Sequence, residues 1–154
     1  MIVLEERIYV YNFADLKLVD HIETIKNPKA LAALCSHASS NVLACPAIQK
    51  GHVRVSLYDT NKHHTIMAHN GPLAALSLNQ TGTLLATASE KGTLIRIFDT
   101  VSGTSLQELR RGTSEAIIYS ICFNSASDLI AVSSNKGTVH VFQIKSAEEG
   151  EDKK

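Results

Sequence analysis

The strongest constraint on this chain is that it repeats itself. Ala74-Ala-Leu-Ser-Leu-Asn-Gln-Thr-Gly-Thr-Leu-Leu-Ala-Thr-Ala-Ser-Glu-Lys-Gly92 can be laid over Tyr119-Ser-Ile-Cys-Phe-Asn-Ser-Ala-Ser-Asp-Leu-Ile-Ala-Val-Ser-Ser-Asn-Lys-Gly137. Each stretch continues through Thr into a hydrophobic segment ending at Phe98 or Phe142, and a looser copy runs from Ala32 to Asp59. Gly51, Gly92 and Gly137 recur after 41 and 45 residues (92 − 51 and 137 − 92). A period of about 40–45 residues is that of a four-stranded propeller blade.

Within each repeat the apolar residues come in short β-branched runs broken by Asn, Asp, Gly, Ser and Lys, which reads as strands joined by tight hairpins. No window has the pattern of an amphipathic helix, so the chain is expected to be all-β. A blade remnant is expected over 1–28, with 7–25 giving only outer strands. Fuller blades are expected over about 30–68, 73–112 and 118–144, the last without its outer strand. Tyr58-Asp59 and Phe98-Asp99 occupy equivalent places in this alignment, and both aromatics are expected in the core. Such a chain is an arc of a larger ring, and its open blade faces and edges invite self-association. The acidic segment 146–154 is expected to be disordered.

Composition narrows the function. Lys and Arg number 15 against 15 Asp and Glu, which removes the cationic excess that non-specific nucleic-acid binding needs. At 44% apolar residues the chain is too hydrophobic for a disordered protein, and no uncharged run reaches the ~20 residues of a membrane-spanning helix. Glu5, Glu6 and Arg7 interrupt the start, so no signal-peptide core fits there. Three cysteines, Cys35, Cys45 and Cys122, are an odd number in apolar surroundings, as expected of buried free thiols in the cytosol.

The chemically unusual stretch is Glu108-Leu109-Arg110-Arg111-Gly112. Neighbouring residues on an extended backbone point to opposite sides, so two adjacent arginines can serve two pockets. Each guanidinium is a rigid fork suited to phosphate oxygens. Hydroxyls and cations lie on both flanks in the repeat: Thr87, Ser89, Lys91, Thr93 and Arg96 on one, Ser133, Ser134, Lys136, Thr138 and His140 on the other. Counting back from Phe98 and Phe142 makes Arg96 and His140 equivalent. On residue types alone, an arginine pair at a strand end is more often a solvated surface feature, and both side chains are expected at the surface.

Leu109-Arg-Arg-Gly112, between Ala88-Ser-Glu-Lys-Gly-Thr-Leu-Ile-Arg-Ile-Phe-Asp99 and Ser133-Ser-Asn-Lys-Gly-Thr-Val-His-Val-Phe142, resembles the PROPPIN/WIPI family. Asn27-Pro28-Lys29 and Ala68-His69 add to the likeness, which covers essentially the whole chain and about half of a family member. The resemblance implies a WD-repeat β-propeller, here three to four blades of a seven-bladed fold. It implies a cytoplasmic adaptor in autophagy, peripheral on autophagosome-precursor or endosomal membranes, that binds phosphatidylinositol 3-phosphate and 3,5-bisphosphate. Autophagy proteins, including a bridge-like lipid-transfer protein, are the implied partners. Carried over residue by residue, one pocket uses Arg110 with Thr87, Ser89, Lys91, Thr93, Arg96 and His69. The other uses Arg111 with Ser134, Thr138 and His140. The family's membrane-inserting loop would follow the strand at 138–144, where this chain turns acidic.

Two other functions compete. An enzyme would need a nucleophile–base pair or a metal cluster, but His63 and His64 fall in a turn-like segment and Cys35 with His37 lacks a companion pair at zinc spacing. No catalysis, metal or cofactor is expected. A WD-repeat scaffold that binds proteins without lipid is the stronger rival, and Arg110-Arg111 with its hydroxyl clusters is the feature it does not require.

Overall fold

The computed structural model describes residues 1–35 and 37–145, all of them in strands, turns and loops. Four antiparallel sheets follow one another along the chain. The first contains β1 (Ile2–Val3), β2 (Arg7–Tyr11) and β3 (Leu18–Glu23). The second is a meander of β4 (Ala33–Leu34), β5 (Val42–Pro46), β6 (His52–Leu57) and β7 (Lys62–Met67). The third repeats it with β8 (Leu73–Leu78), β9 (Leu84–Ser89), β10 (Leu94–Asp99) and β11 (Ser105–Arg110). The fourth has β12 (Ile118–Phe123), β13 (Leu129–Ser134) and β14 (Val139–Gln143).

The sheets pack face to face in chain order, with one apolar core at each junction. Ile8, Val10 and Ile22 of the first meet Leu43 and Cys45 of the second. Val53, Val55 and Leu57 of the second meet Leu85 and Phe98 of the third. Ile95, Ile97 and Leu109 of the third meet Ile121, Ile130 and Val132 of the fourth. Because side chains alternate across a strand, each sheet offers one apolar set to its predecessor and another to its successor. Burying each Ile, Val or Leu at these junctions contributes about 1.5–3 kcal/mol.

Several expectations need correction. The remnant at the start also has the short strand β1, pairing Ile2 with Tyr9 and Val3 with Ile8. His63 and His64 lie inside β7, opposite Ser56 and Val55, not in a turn. Cys45 is buried but Cys35 is half-buried and Cys122 exposed, so the three thiols do not share one apolar environment. Tyr58 and Phe98 are not equivalent either. The backbone amides of Tyr58, Thr100 and Ile144 donate to Asn41, Thr83 and Asp128, each just ahead of its sheet's second strand. That register sets Phe98 beside Ser56 and Tyr58 beside Thr100. Phe98 is buried, whereas Tyr58 is half-buried and donates its hydroxyl to Asp20 Oδ2 at 3.1 Å. The segment 146–154 lies outside the described residues.

Candidate functional site

Arg96 sits mid-strand in β10, opposite Thr87 on β9 and Glu108 on β11. Strand alternation puts Ser89 and Arg110 on the same face. Leu85 and Phe98 share that face and pack on the second sheet, so the polar end of the row lies at the junction where Ala68 and His69 follow β7. Contacts across the junction are specific. Arg96 Nη1 donates to the Ala68 carbonyl at 2.6 Å, and Arg96 Nε donates to Glu108 Oε2 at 2.9 Å. His69 Nε2 and Thr87 Oγ1 share a buried hydrogen bond of 3.0 Å. Burial, with the positive charge of Arg96 nearby, lowers the His69 pKa to about 4, so its imidazole is neutral at pH 7.

The other residues assigned to this pocket border the row. Ser89 is half-buried, Thr93 buried and Lys91 exposed in the β9–β10 turn. Arg110 is exposed at the end of β11, opposite Leu94, and no ion pair or side-chain hydrogen bond holds it among the described residues. Thr87, Arg96 and His69 are therefore brought into contact, with Arg110 on the same face. The local reason is alternation: Glu108 and Arg110 are two residues apart on one strand.

Arg111 behaves differently. It is 7% exposed, so the expectation of two surface arginines holds for Arg110 alone. Its amide donates to the Thr93 carbonyl, its Nε to the Gly92 carbonyl at 2.5 Å, and its Nη2 to the Ser114 carbonyl. The side chain fastens the chain leaving the third sheet to the β9–β10 turn. The residues assigned with it are on the face of the fourth sheet that meets the third: Ser134 is buried, Thr138 exposed and His140 half-buried. His140 is opposite Val132, its ring stacks on Phe142 at 6.1 Å, and its buried Nδ1 has no partner among the described residues. No hydrogen bond joins Arg111 to Ser134, Thr138 or His140 among the described residues.

A protein-family model described as PROPPIN matches residues 1–153. The chain belongs to the PROPPIN family. Among curated relatives, it is 47% identical over 145 residues to autophagy-related protein 18e of Arabidopsis thaliana, covering 94% of this chain and 39% of that protein. It is 42% identical over 170 residues to autophagy-related protein 18 of Yarrowia lipolytica, covering 94% and 42%. Among solved structures, Hsv2 of Kluyveromyces marxianus superposes with a TM-score of 0.78 at 27% identity, over 93% of this chain and 45% of that one. The four sheets are thus a fragment of a PROPPIN β-propeller. The chain spans about two-fifths of the length of the curated relatives it matches.

Sequence reading missed Glu108 as a partner in the pocket. Its signal was available, since it stands two residues before Arg110 and so on the same face of the strand. The ties of Arg111 to Gly92 and Ser114 had no comparable signal, because backbone carbonyls carry no residue identity.

Proposed function

We propose that this PROPPIN chain carries the headgroup-recognising part of a phosphoinositide-binding autophagy adaptor. The row of Thr87, Arg96 and His69, with exposed Arg110 on the same face, is the observation that supports the reading. Arg110 presents a free guanidinium fork to phosphate oxygens and Arg96 its remaining N–H groups, and charge-assisted bonds of this kind are about twice as strong as neutral ones. Glu108 and the Ala68 carbonyl fix the plane of Arg96 beforehand, which lowers the ordering cost of binding. His69, neutral and bonded to Thr87, adds a polar wall without competing negative charge. The ligand class is a 3-phosphorylated inositol headgroup, and the chemistry needs no catalysis. The second pocket belongs to the same reading in a different form: Arg111 shapes the wall while Ser134, Thr138 and His140 offer the polar groups.

In the full-length protein this reading places the propeller on autophagosome-precursor or endosomal membranes, where it recruits autophagy partners such as a bridge-like lipid-transfer protein. A solved neighbour with the same fold is Atg21 in complex with the coiled coil of Atg16. Vesicle flotation tests the lipid step. Vesicles containing phosphatidylinositol 3-phosphate should carry the chain with them, and phosphatidylserine vesicles of equal charge should not. Equal flotation on both reduces the interaction to bulk charge, and flotation on neither favours the protein-binding scaffold.

A further inference from the structure

The cation at the centre of the candidate pocket has counterparts in the neighbouring sheets. Arg54 lies between Cys45 and Thr65 in the second sheet as Arg96 lies between Thr87 and Glu108 in the third. His140 lies opposite Val132 in the fourth. The amide four residues further on, from Tyr58, Thr100 or Ile144, makes the same backbone bond in all three sheets. The spacings are 42 and 44 residues (96 − 54 and 140 − 96). One position of the repeat thus carries a cation or an imidazole three times in succession, always on the face turned to the preceding sheet. For Arg54 that face is fixed by Cys45 opposite it, which packs on Ile8, Val10 and Ile22.

Arg54 differs from Arg96 in what holds it. Where the third sheet has Glu108, the second has Thr65. Its hydrogen bond is a long one, from Nε to Ser56 Oγ at 3.4 Å. Among the described residues no carboxylate oxygen lies within 4.0 Å of its guanidinium, and Glu23 across the cleft is already paired with Arg7 at 3.6 Å. The cleft is about 460 Å³, and Ala47, Gln49 and Thr65 line it beside Arg54 and Glu23. A half-buried guanidinium is desolvated on folding and recovers that cost only through an acceptor. With an amide and a hydroxyl beside its fork, the acceptor that fits is a tetrahedral oxyanion, which takes a forked donor and single donors at once.

We propose that the cleft between the first and second sheets is a further anion site, in which Arg54, Gln49 and Thr65 hold a phosphate monoester. It stands on the repeat register and on the unpaired fork of Arg54, independently of whether Arg110 meets lipid. The phosphate could belong to a soluble inositol phosphate or to a membrane headgroup, and the two are separated by experiment. The side-chain Nε–Hε resonance of Arg54 is followed by ¹H–¹⁵N NMR on the whole chain, assigned by its loss in Arg54→Lys. The background is Arg110→Ala, so that the first pocket is weakened. Titration with inositol 1,3-bisphosphate should move the resonance along a saturating curve, and Thr65→Ala should raise the midpoint several-fold. Nanodiscs containing phosphatidylinositol 3-phosphate should shift the same resonance if the source is a membrane, and leave it in place if the source is soluble. A resonance that stays still, or drifts linearly as in sodium chloride of equal ionic strength, overturns the proposal. If Arg54 saturates while Arg110 in the unmodified chain does not respond, the lipid reading of the first pocket fails and this site remains.

Discussion

The junction between the second and third sheets and the junction between the third and fourth are built on one register, yet they hold their polar residues differently. At the first, Arg96, Thr87, His69 and the Ala68 carbonyl form a connected network, and Arg110 stands free beside it. At the second, the position of Thr87 is taken by apolar Val132, His140 has a buried nitrogen with no partner among the described residues, and Arg111 is spent on backbone carbonyls. Adjacent arginines, one at the end of β11 and one just past it, therefore do unlike work. The exposed one has no side-chain partner among the described residues, and the buried one ties the β9–β10 turn to the segment that leads into β12. A repeat fixes where side chains point, but each junction decides what they can still bind.

The largest effect expected from this contrast is in the glycines of the turns. Gly92 has a φ of +66°, and a Cβ there would stand 1.9 Å from the Ala116 carbonyl oxygen, on the segment that leads into β12. Gly137 has a φ of +75°, and a Cβ there would meet nothing within 4 Å among the described residues. Gly92→Ala combines backbone strain with a clash and should cost more than about 3 kcal/mol, against about 1 kcal/mol for Gly137→Ala. Urea unfolding of the two variants checks it, and equal costs would mean that the turn does not lock the third sheet to the fourth.

Next in size is the arginine pair itself. Arg111→Ala removes two charge-assisted bonds and leaves the Gly92 and Ser114 carbonyls without that donor, so it should destabilise by about 2–3 kcal/mol. Arg110→Ala should stay within about 0.5 kcal/mol of the unmodified chain. The same denaturation curves decide between this asymmetry and two equivalent surface arginines.

A smaller, pH-dependent effect belongs to His69. Its folded pKa of about 4 lies below the ordinary value of 6.5, so the folded state binds fewer protons than the unfolded one between these limits. Stability is unaffected above pH 6.5 and falls as the pH drops toward 4, by about 2 kcal/mol after allowance for solvent screening. His69→Gln should flatten that part of the stability–pH curve. A parallel loss in both proteins would place the acid sensitivity elsewhere, for example at Asp99, whose burial is outweighed by hydrogen bonds from Ser102 and Val101 that lower its pKa.

Much of the fold was legible in the sequence because period and turn chemistry are local signals. The spacing of Gly51, Gly92 and Gly137 and the short apolar runs between them are enough for blade-like sheets. Register was less legible. Tyr58-Asp59 matches Phe98-Asp99 by eye, but the backbone bonds shift the equivalence by two residues, which keeps the same face and so leaves no trace in hydrophobic pattern. For the pocket, alternation places Glu108 and Arg110 on one face from sequence alone, whereas Arg96 joins that face only through the β10–β11 register. That Arg111 would be buried depended on where the Gly92 and Ser114 carbonyls come to lie, and that is a tertiary fact.

The account rests most directly on Arg110, the free guanidinium beside the ordered row. Calorimetric titration of inositol 1,3-bisphosphate into the unmodified chain, Arg110→Ala and Arg110→Lys tests it in one series. Loss of a charge-assisted contact of about 1.5–3 kcal/mol should weaken binding roughly 10- to 150-fold in Arg110→Ala, with partial recovery in Arg110→Lys and an unchanged unfolding midpoint. An Arg110→Ala chain that binds the headgroup as tightly as the unmodified one would contradict the assignment of this junction as the headgroup pocket.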